Sequence, residues 1–251
     1  LAAMSEPFNA DKALRRTLTV LCERFPTFIG LVLLVQSPLV ALRLVSALDP
    51  PSTPGLVATF AFLQLAGEFV MGALASAAVV YGVFQSLRGA SVTFTDCLRQ
   101  GMRSLMSVLG VSLAVGLAIG GCLLISVLLP IFTVVFIPVA VILWIQLYVA
   151  VPAAVMERLG VAFSLSRSQE LTLGRRAQIF AVVFAVIVLF AVPGIAVGYV
   201  LADHGPLLEL ASIVLSVLAA TFAAVATSVV YHDLRVDKDG MATEDLAAVF
   251  D

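Results

Sequence analysis

Residues 105–156 read LMSVLGVSLAVGLAIGGCLLISVLLPIFTVVFIPVAVILWIQLYVAVPAAVM, and none of them carries a charged side chain. A helix crosses a hydrocarbon core of ~30 Å with ~20 apolar residues. The run is therefore too long for one crossing, and too poor in polar residues for an ordinary loop. It reads as two membrane spans, 105–129 and 138–156, joined by a tight hairpin. Pro130 and Pro138 bracket the reversal, because proline removes a backbone donor and disfavours a continuing helix.

Apolar runs at 27–48, 56–84, 177–200 and 207–231 supply four more spans. Hydrophobic residues make up 61% of the chain and charged residues 12%, about half the charge of an ordinary soluble domain. The expected fold is all-α, a polytopic six-helix transmembrane bundle with short amphipathic interfacial helices. Of the 14 Lys and Arg residues all but Arg43 fall into four stretches. Lys12, Arg15, Arg16 and Arg24 precede the first span, and Arg88, Arg99 and Arg103 lie between the second and third. Arg158, Arg167, Arg175 and Arg176 separate the fourth from the fifth, and Arg235 and Lys238 follow the sixth. The connections around Asp49, Pro130 and Asp203 contain no cation. By the positive-inside rule this alternation places both termini in the cytoplasm, in a bacterial cytoplasmic (inner) membrane.

Residues 1–236 form the membrane domain on this reading, with an interfacial helix at 9–24, and 237–251 form an acidic cytoplasmic tail. The tail accounts for most of the net charge of −2, which argues against a nucleic-acid partner. Within it Thr243 caps a brief helix carrying Leu246, Val249 and Phe250, a docking peptide or a frayed end. The first apolar run reads as a retained span, since no short apolar core with a cleavage site precedes it. Cys22, Cys97 and Cys122 are spaced for neither disulfides nor zinc and act as small apolar residues.

Because lipid is as apolar as leucine, helices in a membrane meet through small residues. Ser212, Ser216, Ala220, Ala224 and Ser228 recur every fourth residue and mark the sixth span as central. Ser112, Gly116 and Gly120 in the third span, and Gly194 and Gly198 in the fifth, are expected to pack inside the bundle. Each basic stretch is read as an amphipathic interfacial helix; Thr93 and Asp96 cap the second, and Gly174 ends the third. Arg15, Arg24 and Phe28 share the spacing of Arg167, Arg176 and Phe180. Three units follow, each an interfacial helix leading into a two-span hairpin.

Several blocks are then familiar: Ala13-Leu14-Arg15-Arg16-Thr17, Leu87-Arg88-Gly89, Val151-Pro152-Ala153 with Glu157, Arg167-Ser168-Gln169-Glu170-Leu171-Thr172-Leu173-Gly174, and Tyr231-His232-Asp233-Leu234-Arg235. The chain resembles the bacterial glycerophosphoryl diester phosphodiesterase membrane-domain family over nearly its whole length. The resemblance implies a six-span fold and a membrane location. Phosphodiesterase activity in that family belongs to a separate soluble barrel, which this chain has no room to contain. With His204 and His232 on opposite expected sides, it also lacks paired histidines for that chemistry.

Two regions carry the candidate sites. Ionisable groups inside a span are costly and mark functional positions by default. In the second span Gln64, Glu68, Gly72 and Ser76 form a polar stripe, and in the first Gln36 and Arg43 share a face. Arg43 lies about 7 Å and Glu68 about 18 Å from the outer ends of their helices at ~1.5 Å per residue, so they form either a site or a structural ion pair. At the cytoplasmic end Glu157, Arg167, Glu170, Arg175, Arg176, Asp233 and Arg235 form a clamp or bind lipid phosphates. His232 beside Asp233 lacks a nucleophile or a metal set. The expected function is therefore non-catalytic and cofactor-free: binding of membrane lipids, including anionic ones, or of a partner membrane-protein complex, as an accessory or assembly subunit. The alternative is a small transporter or channel using Arg43 and Glu68.

Overall fold

The computed structural model describes residues 8–49, 52–90, 92–158 and 160–239. The tail peptide expected from Thr243 to Phe250 lies outside them. Among the described residues the elements are all helical: α1 (Ala10–Glu23), α2 (Phe25–Leu48), α3 (Pro54–Leu87), α4 (Phe94–Leu128), a 3₁₀ turn (Pro130–Phe132), α5 (Thr133–Leu147), α6 (Ala150–Glu157), α7 (Val161–Thr172), α8 (Arg176–Val200) and α9 (Gly205–Asp239). Six helices are long and apolar enough to cross a membrane: α2, α3, α4, α5 continued by α6, α8 and α9.

Local chemistry sets several of the boundaries. The Asn9 side chain accepts from the Asp11 N–H at 3.0 Å to open α1, and Thr53 with Pro54 opens α3. Gly89 and Gly174 take φ of 71° and 82°, the left-handed backbone that reverses the chain after α3 and α7. The hairpin between the third and fourth spans is tighter than the two bracketing prolines imply. Residues 129–132 complete it, the Thr133 hydroxyl donates to the Ser126 carbonyl at 2.9 Å, and Pro138 sits inside α5.

The fourth span breaks at Tyr148 and Val149, four and three residues before Pro152. A proline ring collides with the carbonyl four residues earlier and supplies no N–H, which opens the helix there. The Gln146 carbonyl accepts instead from the Ser168 hydroxyl at 2.7 Å, and the Thr172 hydroxyl stands 3.5 Å away. Both α7 side chains are fully buried. Pro38, Pro138 and Pro193 lie within continuous helices.

The second basic stretch is not a separate helix. Its residues form the first turns of α4, Cys97 is buried, and Thr93 precedes the helix without a side-chain capping bond. The three-unit plan nevertheless has a spatial counterpart. α1 packs beneath α8 and α9, the basic end of α4 packs against α2 and α3, and α7 packs beneath α4, α5 and α6. Each unit's leading segment thus supports the hairpin of another unit.

Burial is concentrated in the half of the bundle nearest the basic stretches. In α3 the buried residues run from Ala73 to Phe84, and in α8 they are Ile179, Val182 and Val183. Close approach there depends on glycine. A Cβ on Gly101 would stand 3.2 Å from the Ala78 backbone N, and one on Gly82 would stand 3.0 Å from the Phe28 ring. The opposite half splays apart. Gly116 and Gly120 of the third span do not pack inside it, because a Cβ on either would meet nothing within 4 Å. α9 is the central helix, with a far larger share of its span buried than any other.

Gly110 provides a sharp test, since its Cβ would fall 2.6 Å from Cγ2 of Val161. Gly110→Ala is expected to destabilise by ~1–3 kcal/mol, with recovery in the Gly110→Ala/Val161→Ala double variant and no comparable loss for Gly116→Ala. Thermal unfolding in detergent measures all three.

Candidate functional site

At the basic end, α9 carries two faces of ionisable groups. Tyr231, Arg235 and Asp239 follow at intervals of four on one face, and Asp233 and Asp237 share another. Acids in the last turns of a helix face its negative dipole end and need cationic partners. Arg167 of α7 supplies the centre of the first set: its guanidinium donates to Glu157 at 3.3 Å, to Glu170 at 3.2 Å and to Asp239. The Tyr231 hydroxyl donates to the same Glu157 oxygen at 2.5 Å. Burial disfavours the Arg167 charge, but Glu157, Asp239 and Glu170 outweigh that cost and raise its pKa above the ordinary arginine value.

The second set closes the other side. Arg175 forms a two-point contact with Asp237 at 3.0 and 3.1 Å, and Arg16 of α1 donates to Asp233 at 2.7 Å. His232 Nδ1 lies 3.1 Å from the same Asp233 oxygen, with its ring buried near Phe84. The Arg235 Nη1 reaches the Tyr231 hydroxyl at 3.4 Å, while its Nε is buried without a hydrogen bond, 3.7 Å from Asp239. Of the residues singled out in the sequence, Glu157, Arg167, Glu170, Arg175, Asp233 and Arg235 thus belong to one network. Arg176 is exposed and stands outside it.

The sequence reading missed Arg16, Tyr231, Asp237 and Asp239 as members. The boundary at residue 237 hid the last two, because α9 continues through Asp239 and carries them into the network. Extending the four-residue period of α9 past the apolar run would have found them. Arg167 and Arg175 meet carboxylates here, so the geometry makes this cluster a clamp joining α1, α6, α7, α8 and α9.

The second region lies among the splayed ends of α2, α3 and α9. Arg43 Nη2 donates to Glu68 Oε1, so the two intramembrane charges pair. Gln64 donates to Ser46 at 3.3 Å, and the Ser46 hydroxyl donates to the Arg43 carbonyl at 2.9 Å. Gln64 therefore buttresses the backbone that carries Arg43. Beside the pair is a cavity of about 250 Å³ bordered by Gln36, Gly72, Ser216 and Ala220. A second, of about 240 Å³, shares Gln36, Gly72 and Ala220 with it and continues to Ser76, Tyr148 and Thr227.

Three polar side chains on these walls, Gln36, Ser76 and Tyr148, hydrogen-bond to no described residue, whereas Thr227 donates to the α9 backbone at 3.0 Å. Tyr148 is the member that the sequence pattern of the fourth span does not single out. It sits at the break of the fourth span, and the break is what brings it to this wall.

Among the described residues, no group of three or more His, Cys, Asp or Glu side chains is placed to hold a metal ion. No family model, curated protein or solved structure matches the chain.

Removing one member of a partly buried ion network leaves its partners charged and uncompensated. Arg167→Ala is expected to cost ~3 kcal/mol or more of stability, and the exposed Arg176→Ala less than ~0.5 kcal/mol. Chemical or thermal unfolding of the two variants in the same detergent checks the contrast.

Proposed function

We propose that this is a non-catalytic membrane protein whose work is binding, and that its ligand site is the cavity beside Arg43 and Glu68. The observation that carries the reading is the set Gln36, Ser76 and Tyr148, hydrogen-bonding groups at membrane depth with no partner among the described residues. All three residues are half-buried, so their polar atoms are open to the cavity and need a partner from within it. A fold that keeps all three on one wall, next to an ion pair, supports a polar ligand or bound water as their partner. The chain lies in a bacterial cytoplasmic membrane with its basic end and both termini inside, which puts the cavity in the outer half of the bilayer.

The arginine network supports a structural role at the other end. Headgroup contacts in this reading fall to the exposed Arg99, Arg103 and Arg176, while Arg167 and Arg175 hold helices together. A rigid, charged inner end with a ligand site above it suits an accessory or assembly subunit that presents a lipid to a partner complex. The resemblance to the phosphodiesterase membrane-domain family fits the same picture, since it extends to a membrane domain alone.

The break at Tyr148 and Val149 favours transport as the second reading, because interrupted helices frame many transport sites. Gly72 separates these readings from a merely structural cavity. It borders both cavities, and a Cβ there would meet nothing within 4 Å. Gly72→Leu is expected to fold normally, with an unfolding midpoint within ~3 °C of the parent in ligand-free detergent, and to lose the ligand that copurifies with the parent. Mass spectrometry of the bound material reads the result, and retention of that ligand by Gly72→Leu would sink the proposal. Solute flux in proteoliposomes, abolished by the same variant, would move the assignment from binding to transport.

A further inference from the structure

The ion pair in the cavity wall is only partly spent. A guanidinium carries five N–H donors, and a carboxylate offers about four lone-pair positions. Arg43 meets Glu68 through Nη2, and Glu68 meets Arg43 through Oε1. The Glu68 side chain is 48% exposed and that of Arg43 26%, and both line the cavity. Each charge therefore presents unused hydrogen-bonding capacity to the same space.

Charge balance then selects the ligand. The pair is neutral as a unit, and it lies where an uncompensated charge is expensive. An anion drawn to Arg43 would compete with Glu68 for the guanidinium and leave the carboxylate without its partner. A cation drawn to Glu68 would strand Arg43 in the same way. A ligand carrying both signs lets each protein charge exchange part of its contact for an opposite charge, with no net charge added to the membrane interior.

We infer that the Arg43–Glu68 cavity recognises a net-neutral zwitterion, with a phosphate or carboxylate directed to Arg43 and an ammonium directed to Glu68. Gln36 stands beside the pair to receive either polar group. The inference rests on the reading of this cavity as a ligand site, and it specifies the chemistry of the occupant.

Two sources present this chemistry, an aminophospholipid headgroup and a free amino acid. For the lipid, the surroundings offer a place for the chain. A cavity of about 530 Å³ between α8 and α9 shares Ser216 with the charged cavity and is lined by Phe190, Gly194, Gly198 and Leu215. Gly194 faces Leu215 of α9, which an added Cβ would meet at 3.4 Å, Gly198 meets nothing within 4 Å, and Glu209 and Ser212 add polar groups to the otherwise apolar wall.

The test uses the full chain, delipidated in maltoside micelles and titrated with three probes: phosphatidylethanolamine, phosphatidylglycerol of identical chains, and alanine. Native mass spectrometry and ligand-dependent unfolding give the affinities. Phosphatidylethanolamine or alanine is expected to bind the parent, the former about tenfold more tightly than phosphatidylglycerol. Glu68→Gln, which leaves Arg43 unopposed, is expected to move the lipid preference about tenfold toward phosphatidylglycerol. The neutral Arg43→Gln/Glu68→Gln variant removes both charges, with an isosteric change at position 68, and is expected to bind both lipids equally.

Binding of phosphatidylethanolamine identifies the lipid as the source, and binding of alanine without it identifies the free zwitterion. Equal affinity of the parent for the two lipids with no binding of alanine overturns the inference. A lipid preference that persists in the double variant does the same. Gly72→Leu distinguishes the two levels of failure. If it displaces bound probe while charge preference stays flat, only the zwitterion assignment falls. If it displaces nothing, the site itself falls.

Discussion

A hydrogen-bonding group in the membrane interior must find its partner within the protein or in a cavity the protein encloses, because lipid offers none. The course of the fourth span shows the consequence most directly. Pro152 opens the helix at Tyr148 and Val149, and the hydroxyls of Ser168 and Thr172 stand at the Gln146 carbonyl. That interaction fixes α7 beneath the span, and the position of α7 in turn presents Arg167 to Glu157 and to the end of α9. A single break is thereby coupled to the clamp at one end of the bundle and to the Tyr148 wall of the cavity at its middle.

The clamp and the cavity answer the same constraint in opposite ways. At the basic end the acids of α9 occupy the negative end of a helix dipole, and guanidinium groups from α1, α7 and the start of α8 compensate them. Small residues let the helices approach until Phe84, Tyr231 and Leu234 are almost wholly enclosed. In the other half the helices diverge, and polar groups remain on the walls that divergence opens. A bundle closed and cross-linked at one end, and splayed at the other, can accommodate a ligand without loosening its core.

The sequence blocks at Arg167–Gly174 and Tyr231–Arg235 gain a physical reading from this arrangement. Ser168 and Thr172 serve the broken span, Leu171 fills the core between them, and Arg167 with Glu170 belongs to the clamp. Gly174 supplies the left-handed turn that leads to Arg175. In the closing block Tyr231 reaches Glu157 and Asp233 receives Arg16, while Leu234 is buried. These blocks are accounted for by the assembly of the basic end, and the cavity residues Gln36, Glu68 and Tyr148 lie outside them.

The sequence by itself determined which segments are long and apolar enough to cross a membrane, where the basic ends lie, and that Arg43 and Glu68 required an explanation. Those properties depend on hydropathy and charge along one chain. Tertiary structure alone decided that Gly116 and Gly120 face outward while Gly101 and Gly110 are contact points. It also decided that the presumed tail at Asp237 and Asp239 belongs to the clamp, and that Tyr148 joins the wall of Gln36 and Ser76. The reason is that lipid and a neighbouring helix are equally apolar surroundings for a leucine-rich face. Hydropathy therefore reports that a residue is in the membrane, and only the fit of side chains across helices settles what it faces.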